Sequence, residues 1–204
     1  MQDLETESLW GQVIGEGILG KMENTRLDLF PSAMTTYSEY KKQYPNGLIL
    51  KKENPGLPNS GYADYFSDRT KLGIFGRVDK YRRLNGKDKV IGIRSGDRQV
   101  AVFARKLKNR NAIVIEKVDP AVVATSSDDG QILAVFSLEQ FGEDQAKKMT
   151  MLDGQLGFKD SQQRWNPQTG ELLAGNGTDL PLVPFTPCFW FAWVSFFPDT
   201  DLIR

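Results

Sequence analysis

The segment SLWGQVIGEGILG, residues 8–20, recurs 155 positions later as QRWNPQTGELLAG, residues 163–175. Trp10 aligns with Trp165, Gly15-Glu16 with Gly170-Glu171, and Gly20 with Gly175. A two-residue deletion then resets the offset to 153, at which Thr25, Leu27, Leu29 and Pro31 meet Thr178, Leu180, Leu182 and Pro184. At the same offset Tyr37, Tyr40 and Tyr44-Pro45 meet Trp190, Trp193 and Phe197-Pro198, and Leu48-Ile49-Leu50 meets Asp201-Leu202-Ile203. A repeat constrains the fold more than any local pattern, because each copy is a supersecondary unit that must bury an equivalent face. The expected organisation is one domain over 1–204: module A at 7–50, a connector at 51–89, a β-rich segment at 90–158 and module B at 160–203.

The rings of both copies fall at i, i+3 and i+7, one side of a short helix. Thr35 or Thr36 can cap the first, with Glu39 at capping-box spacing from Thr36, and a proline ends each copy. The shared aromatic stripe is expected to be core, and Phe189, Phe191 and Phe196 imply that the second copy is buried on more sides. The stretch FWFAWVSFFP, 189–198, is too short and too closely bounded by Pro184, Pro187 and Pro198 to cross a bilayer, which takes about 20 residues. Its only polar residue over 189–197 is Ser195, so it lacks the charged face of an interfacial helix; no membrane insertion is expected.

Between the copies the pattern is β. Ile91 and Ile93 alternate toward Ser95-Gly96-Asp97 and are answered by Val100 and Val102, a hairpin signature. AIVIEKV, PAVVA, QILAVF and MTML follow at short spacing, and WNPQTGE reads as a tight turn with Gly170 at positive φ. The fold class expected is β-rich α+β: a mainly antiparallel sheet or barrel-like core with two short aromatic-striped helices. Residues 51–69, rich in Pro, Gly, Asn and Ser, read as an ordered connector pinned by Tyr62, Tyr65 and Phe66.

Twenty-six basic and 26 acidic residues cancel, leaving no net field for nucleic acid. The cluster Arg77, Lys80, Arg82, Arg83, Lys87, Lys89 is interrupted by Asp79 and Asp88 and reads as a solvated connector. With no histidine and one cysteine, Cys188, the chain excludes internal Ser-His-Asp and Cys-His mechanisms, an internal disulfide and a cysteine-rich zinc site. The N-terminus MQDLETESLWGQ carries no secretory signal, so a cytoplasmic location is the default, and export would require an upstream segment.

ETESLWGQVIGEGILG, the TxLxLxPSxxTTYxxY run, VIGIRSGDRQVAVF and FWFAWVSFFPDTDL together resemble a bacterial and archaeal family known as domain of unknown function 3179. The resemblance covers most of the chain. It implies a tandem of two related halves, of which this chain carries the end of the first and all of the second. The family's first half typically holds a Tyr-Cys-Pro-x-Cys-Gly stretch suggestive of thiol redox chemistry. In the half present here, the resemblance puts Ser126 and Asp129 at those cysteine positions, and neither a hydroxyl nor a carboxylate can form a disulfide.

Several residues are candidates for chemistry. Asp128 and Asp129 offer oxygens to a hard cation, but without the alternating spacing of a calcium loop; a hairpin turn is expected and no metal. Glu16 and Glu171, equivalent by repeat, would be a catalytic carboxylate pair if the fold joined them, and otherwise tether their own turns. Trp165, Trp190 and Trp193 would line any apolar ligand pocket. Cys188 reads as a small buried apolar group and is the sole redox candidate. No cofactor is expected. The function expected is a non-catalytic structural or binding module that associates with itself; the alternatives are a redox accessory and a small-ligand carrier.

Overall fold

The computed structural model describes residues 1–51, 65–73 and 83–204. Tyr62 of the expected connector anchor, and Arg77, Asp79, Lys80 and Arg82 of the charged cluster, lie outside the described residues. β1 (Leu9–Gly11) and β2 (Glu16–Leu19) form an antiparallel hairpin, followed by α1 (Tyr37–Gln43). β3 (Lys89–Ser95) and β4 (Arg98–Phe103) form the predicted hairpin, with Ile91 opposite Val102, Ile93 opposite Val100, and Gly96 in the turn at φ 54°. α2 (Ala104–Arg110) leads into the meander β5 (Ala112–Ile115), β6 (Val122–Ser126) and β7 (Leu133–Ser137). After α3 (Glu143–Ala146) come β8 (Thr150–Leu152), β9 (Gln155–Gly157), β10 (Arg164–Trp165) and β11 (Leu172–Ala174). β12 (Thr186–Phe189), α4 (Trp190–Phe196) and β13 (Asp201–Ile203) complete the described elements.

The strands make separate sheets, β1-β2, β11-β10-β9-β8, β12-β3-β4-β13 and β5-β6-β7, and among the described residues no closed barrel. All pairings of these strands are antiparallel except that of β13, which lies parallel to β4. Strand alternation sorts the core. Ile91, Ile93, Val100 and Val102 face Ile115, Val122, Ala124 and Val135 of the meander, while Val90 and Ala101 on the opposite face receive Trp190, Trp193 and Val194 of α4. The other face of the meander, Val123, Ala134 and Phe136, packs with Leu156, Phe158 and Trp165. The apolar runs VVATS and LAVFS are buried at every position because both their faces are covered.

Backbone geometry at the two ends of the chain corresponds position by position. Gly15 and Gly170 take φ 64° and 75°, and Gly20 and Gly175 take 100° and 81°. Gly15 N donates to Gly11 O at 2.7 Å as Gly170 N does to Asn166 O at 2.9 Å; Leu27 N to Gly15 O and Leu180 N to Gly170 O are both 2.8 Å. Gln2 stands opposite Leu9 as Gly157 stands opposite Arg164. α1 and α4 begin and end at corresponding residues, with C-caps Tyr44 (φ −126°, ψ 76°) and Phe197 (φ −129°, ψ 70°). Thr36 caps α1 as expected, its hydroxyl accepting from Glu39 N at 3.2 Å.

The surroundings differ. α4 buries Trp190, Trp193 and Val194, whereas α1 buries nothing, and Tyr37 is 67% exposed. The expectation that the stripe is core in both copies is therefore corrected for α1. Its rings carry hydroxyls and alternate with Ser38, Glu39, Lys41 and Lys42, so water is an adequate partner. In α4, Phe191 is half-buried and Phe196 exposed, so burial there is one-sided. β13 flanks β4, but its counterpart, residues 48–50, pairs with no strand among the described residues, and Leu48 and Leu50 are 92% and 99% exposed.

Candidate functional site

A cleft of about 320 Å³ opens where the start of β3, the start of α2, the β6–β7 turn and β12 converge. Met34, Pro187, Cys188 and Phe189 give it apolar surface above the buried Val90, Ile91 and Leu133, and Ala104 leaves it open because its side chain is one methyl. Met34 and Pro187, counterparts at offset 153, both line it. Each is a β partner of a core strand, Met34 bridging Leu133 and Pro187 standing opposite Ile91.

Cys188 also lines this cleft. Burial pushes its thiol up to about 12, with a weaker opposing effect from a backbone hydrogen bond of Trp193. The thiolate is the nucleophile in thiol chemistry, so near neutral pH this cysteine is a weak one.

A second cleft of about 490 Å³ adjoins the first and is lined by Arg69, Lys87, Lys89, Arg105 and Lys108, with Asp88 and Asp129. A third, of about 360 Å³, lies beside Glu116 and Lys147. Its charges neutralise one another: Lys147 stands 3.9 Å from both Glu116 and Glu143, and nearby Lys117 is 2.5 Å from Asp201.

The residues singled out by sequence are not brought together. Glu16 pairs with Arg26 at 3.0 Å on its own hairpin. Glu171 is exposed in its turn, its backbone N donating to Thr169 Oγ1 at 3.3 Å and its carbonyl accepting from Asn166 N at 2.8 Å. Glu16 stands in β2 and Glu171 in the turn before β11, a strand of another sheet, and each serves its own turn. Asp128 accepts from Asn111 Nδ2 at 2.7 Å, and Asp129 accepts from Ser127 Oγ at 2.5 Å and Gln131 N at 2.9 Å. These bonds, the Ser127 hydroxyl foremost, hold the Asp129 carboxyl below its ordinary range. Gly130, at φ 76°, closes the turn with its N–H on Ser127 O at 2.9 Å. Among the described residues no group of three His, Cys, Asp or Glu is placed to hold a metal ion.

Trp165, Trp190 and Trp193 have no exposed surface and line none of these three clefts. Trp165 makes T-shaped contacts with Phe141 and Phe158 at 5.5 and 5.9 Å, and its indole donates to Thr178 O at 2.9 Å. The cleft residues Met34 and Lys108 escaped the sequence reading because single apolar and basic residues on separate elements carry no spacing signal, and Lys87 and Lys89 read only as part of a solvated cluster.

The arrangement of turns, paired strands and buried tryptophans spans the region matched by one family signature, "Protein of unknown function (DUF3179)", over residues 1–200. The chain belongs to the DUF3179 family. No curated protein and no solved structure matches it. For this DUF3179 protein, no described helix is long and apolar enough to cross a membrane.

Proposed function

We propose that this DUF3179 protein is a non-catalytic structural and binding module that associates with a second copy of itself through its N-terminal part. The recurrence of turn glycines, hydrogen bonds and helix limits supports reading 7–50 and 160–203 as two copies of one module. The observation that carries the reading is the bare segment 48–50. Its counterpart joins a sheet as β13, yet Leu48, Ile49 and Leu50 find no strand partner among the described residues. With Phe30 at 90% and Tyr37 at 67% exposed, this half presents apolar area and unpaired backbone together, the combination through which strands and apolar patches recruit partners. An isologous contact would cover both copies at once.

Light scattering across a wide concentration range tests this. The expected result is a mass rising above the 23.0 kDa monomer in the wild type, and a monomer throughout for Leu48→Asp combined with Leu50→Asp. A wild type that stays monomeric at every concentration overturns it. A redox accessory role would take its thiol from Cys188 or from a partner chain, and a Cys188 thiol raised to about 12 supports it poorly. Titration with a disulfide reagent is expected to modify Cys188 only after unfolding; rapid modification of the native protein would restore that reading.

A further inference from the structure

The apolar and the charged clefts form one groove, because both are lined by Lys89, Ala104 and Gly130. The apolar surface of Met34, Pro187, Cys188 and Phe189 therefore runs directly into a basic end. Two cations there are already committed. Lys87 donates to the carbonyls of Tyr65 and Asp68 and lies over the Tyr65 ring, and Arg69 holds Asp88 at 2.7 Å. Lys89, Arg105 and Lys108 enter no ion pair among the described residues.

The carboxylates at this end are Asp88, neutralised by Arg69, and Asp129, whose oxygen is engaged by Ser127 and Gln131. The stem of Lys108 covers Gly130, where an added Cβ would meet its Cδ at 3.4 Å, so the chain of Lys108 lies along the junction of the two clefts. Lys108 lies within electrostatic reach of Asp129 and Arg105 stacks over Phe103, yet five cations against two carboxylates leave a local positive excess, although basic and acidic residues balance over the whole chain.

We propose that this groove binds a single-chain anionic amphiphile. An unbranched alkyl chain lies along Met34, Pro187, Cys188 and Phe189, and a carboxylate head sits between Lys89 and Lys108 with Arg105 at the rim. The apolar surface rewards removal of methylenes from water. The carboxylate head gains hydrogen bonds in which both partners are charged, which a hydroxyl or an ammonium cannot make with lysine. At about 320 Å³, the apolar part is at the small end of ligand sites and suits one chain, not two.

Displacement of dansyl-labelled undecanoate from the full chain tests the proposal. Laurate is expected to displace the probe, and dodecanol to do so about tenfold more weakly or worse, a difference of about 1.4 kcal/mol. Dodecylammonium and the short hexanoate are expected to be weaker than laurate as well. Reversing both exposed lysines, Lys89→Glu with Lys108→Glu, is expected to lower laurate affinity by about tenfold while leaving dodecanol unchanged and the circular dichroism spectrum intact. Four results would overturn the proposal: no saturable probe binding, equal displacement by laurate and dodecanol, equal displacement by hexanoate and laurate, or a folded double variant that binds laurate like the wild type.

Discussion

α1 and α4 have the same length, corresponding caps and the same spacing of rings, yet one lies in water and the other carries two fully buried tryptophans. Within each helix the ring pair is conserved in kind: Tyr40 and Tyr44 are tilted at 5.5 Å, Trp193 and Phe197 at 4.6 Å. Their outward bonds diverge. Tyr40 donates its hydroxyl to Leu48 O at 2.7 Å, inside its own module. Trp193 donates to Thr200 Oγ1 at 3.0 Å, and that hydroxyl donates to Gln99 O at 2.9 Å, which ties helix, terminal strand and hairpin together. Local sequence thus specifies the shape of a module, whereas the chemistry of its rings and the presence of a glycine-bearing sheet decide what covers it.

Four measurements would break or sharpen this contrast. Trp165→Ala is expected to destabilise by about 3–5 kcal/mol in urea unfolding, the range for emptying a large aromatic site. Trp10→Ala should cost clearly less, since that indole keeps some exposure and spends its N–H on Asp3 of its own hairpin neighbourhood. Equal costs would mean that the N-terminal module is as firmly covered as its counterpart.

Next in size is Gly92→Ala. An added Cβ would stand 2.0 Å from the Trp193 ring, so helix or strand must move, at a cost of about 2–3 kcal/mol. Gly47→Ala meets the end of the Tyr40 ring at 2.4 Å, which can swing away on an uncovered helix, and the Tyr44 Cβ at 2.9 Å, which a small shift of an exposed turn relieves. Its expected cost is below about 1 kcal/mol.

A third measurement uses pH. Asp3 is lowered from 3.8 to about 2, first by the indole N–H of Trp10 and then by Thr6. A carboxylate favoured in the folded state contributes its stabilisation fully above the unfolded value and loses it as pH falls through the folded one. Trp10 fluorescence is therefore expected to titrate with a midpoint near 2, and Asp3→Asn to abolish that transition. Trp165, whose indole donates to a carbonyl, should show no such titration of its own.

The smallest effect is expected at Trp190, whose buried Nε1 has no hydrogen-bond partner. Trp190→Phe removes an unsatisfied donor along with some packing, so the net change should stay within about 1 kcal/mol. Trp193→Phe, which breaks the bond to Thr200, should cost more.

Much of the fold could be read in the chain because its determinants are local. Ser95-Gly96-Asp97 fixes the β3–β4 register, Thr36 starts α1, and Gly170 supplies a turn that other residues enter only under strain. α2 was not legible: ARKLKNR buries only Leu107 and has no apolar stripe, and the left-handed Asn111 at φ 58° that ends it resembles any loop asparagine. The parallel addition of β13 was not legible either, because a three-residue run carries no direction and its partner Ala101 is remote from Leu202 in sequence.

Of the candidate site, sequence supplied Cys188 and little more. Tryptophans and glutamates attract attention by residue type, but burial and turn bonding account for them here. The groove instead assembles from Met34, Lys89, Lys108, Leu133 and their neighbours, which only the topology brings together.

The seating of Trp193 over Gly92 has a mechanical side. A rigid indole occupying the place of a missing side chain acts as a peg, so α4 cannot creep along β3 by small steps. Under tension applied near residue 203, the C-terminal segment is expected to hold and then release in one abrupt event, with the indole leaving its seat as the terminal strand shears from β4.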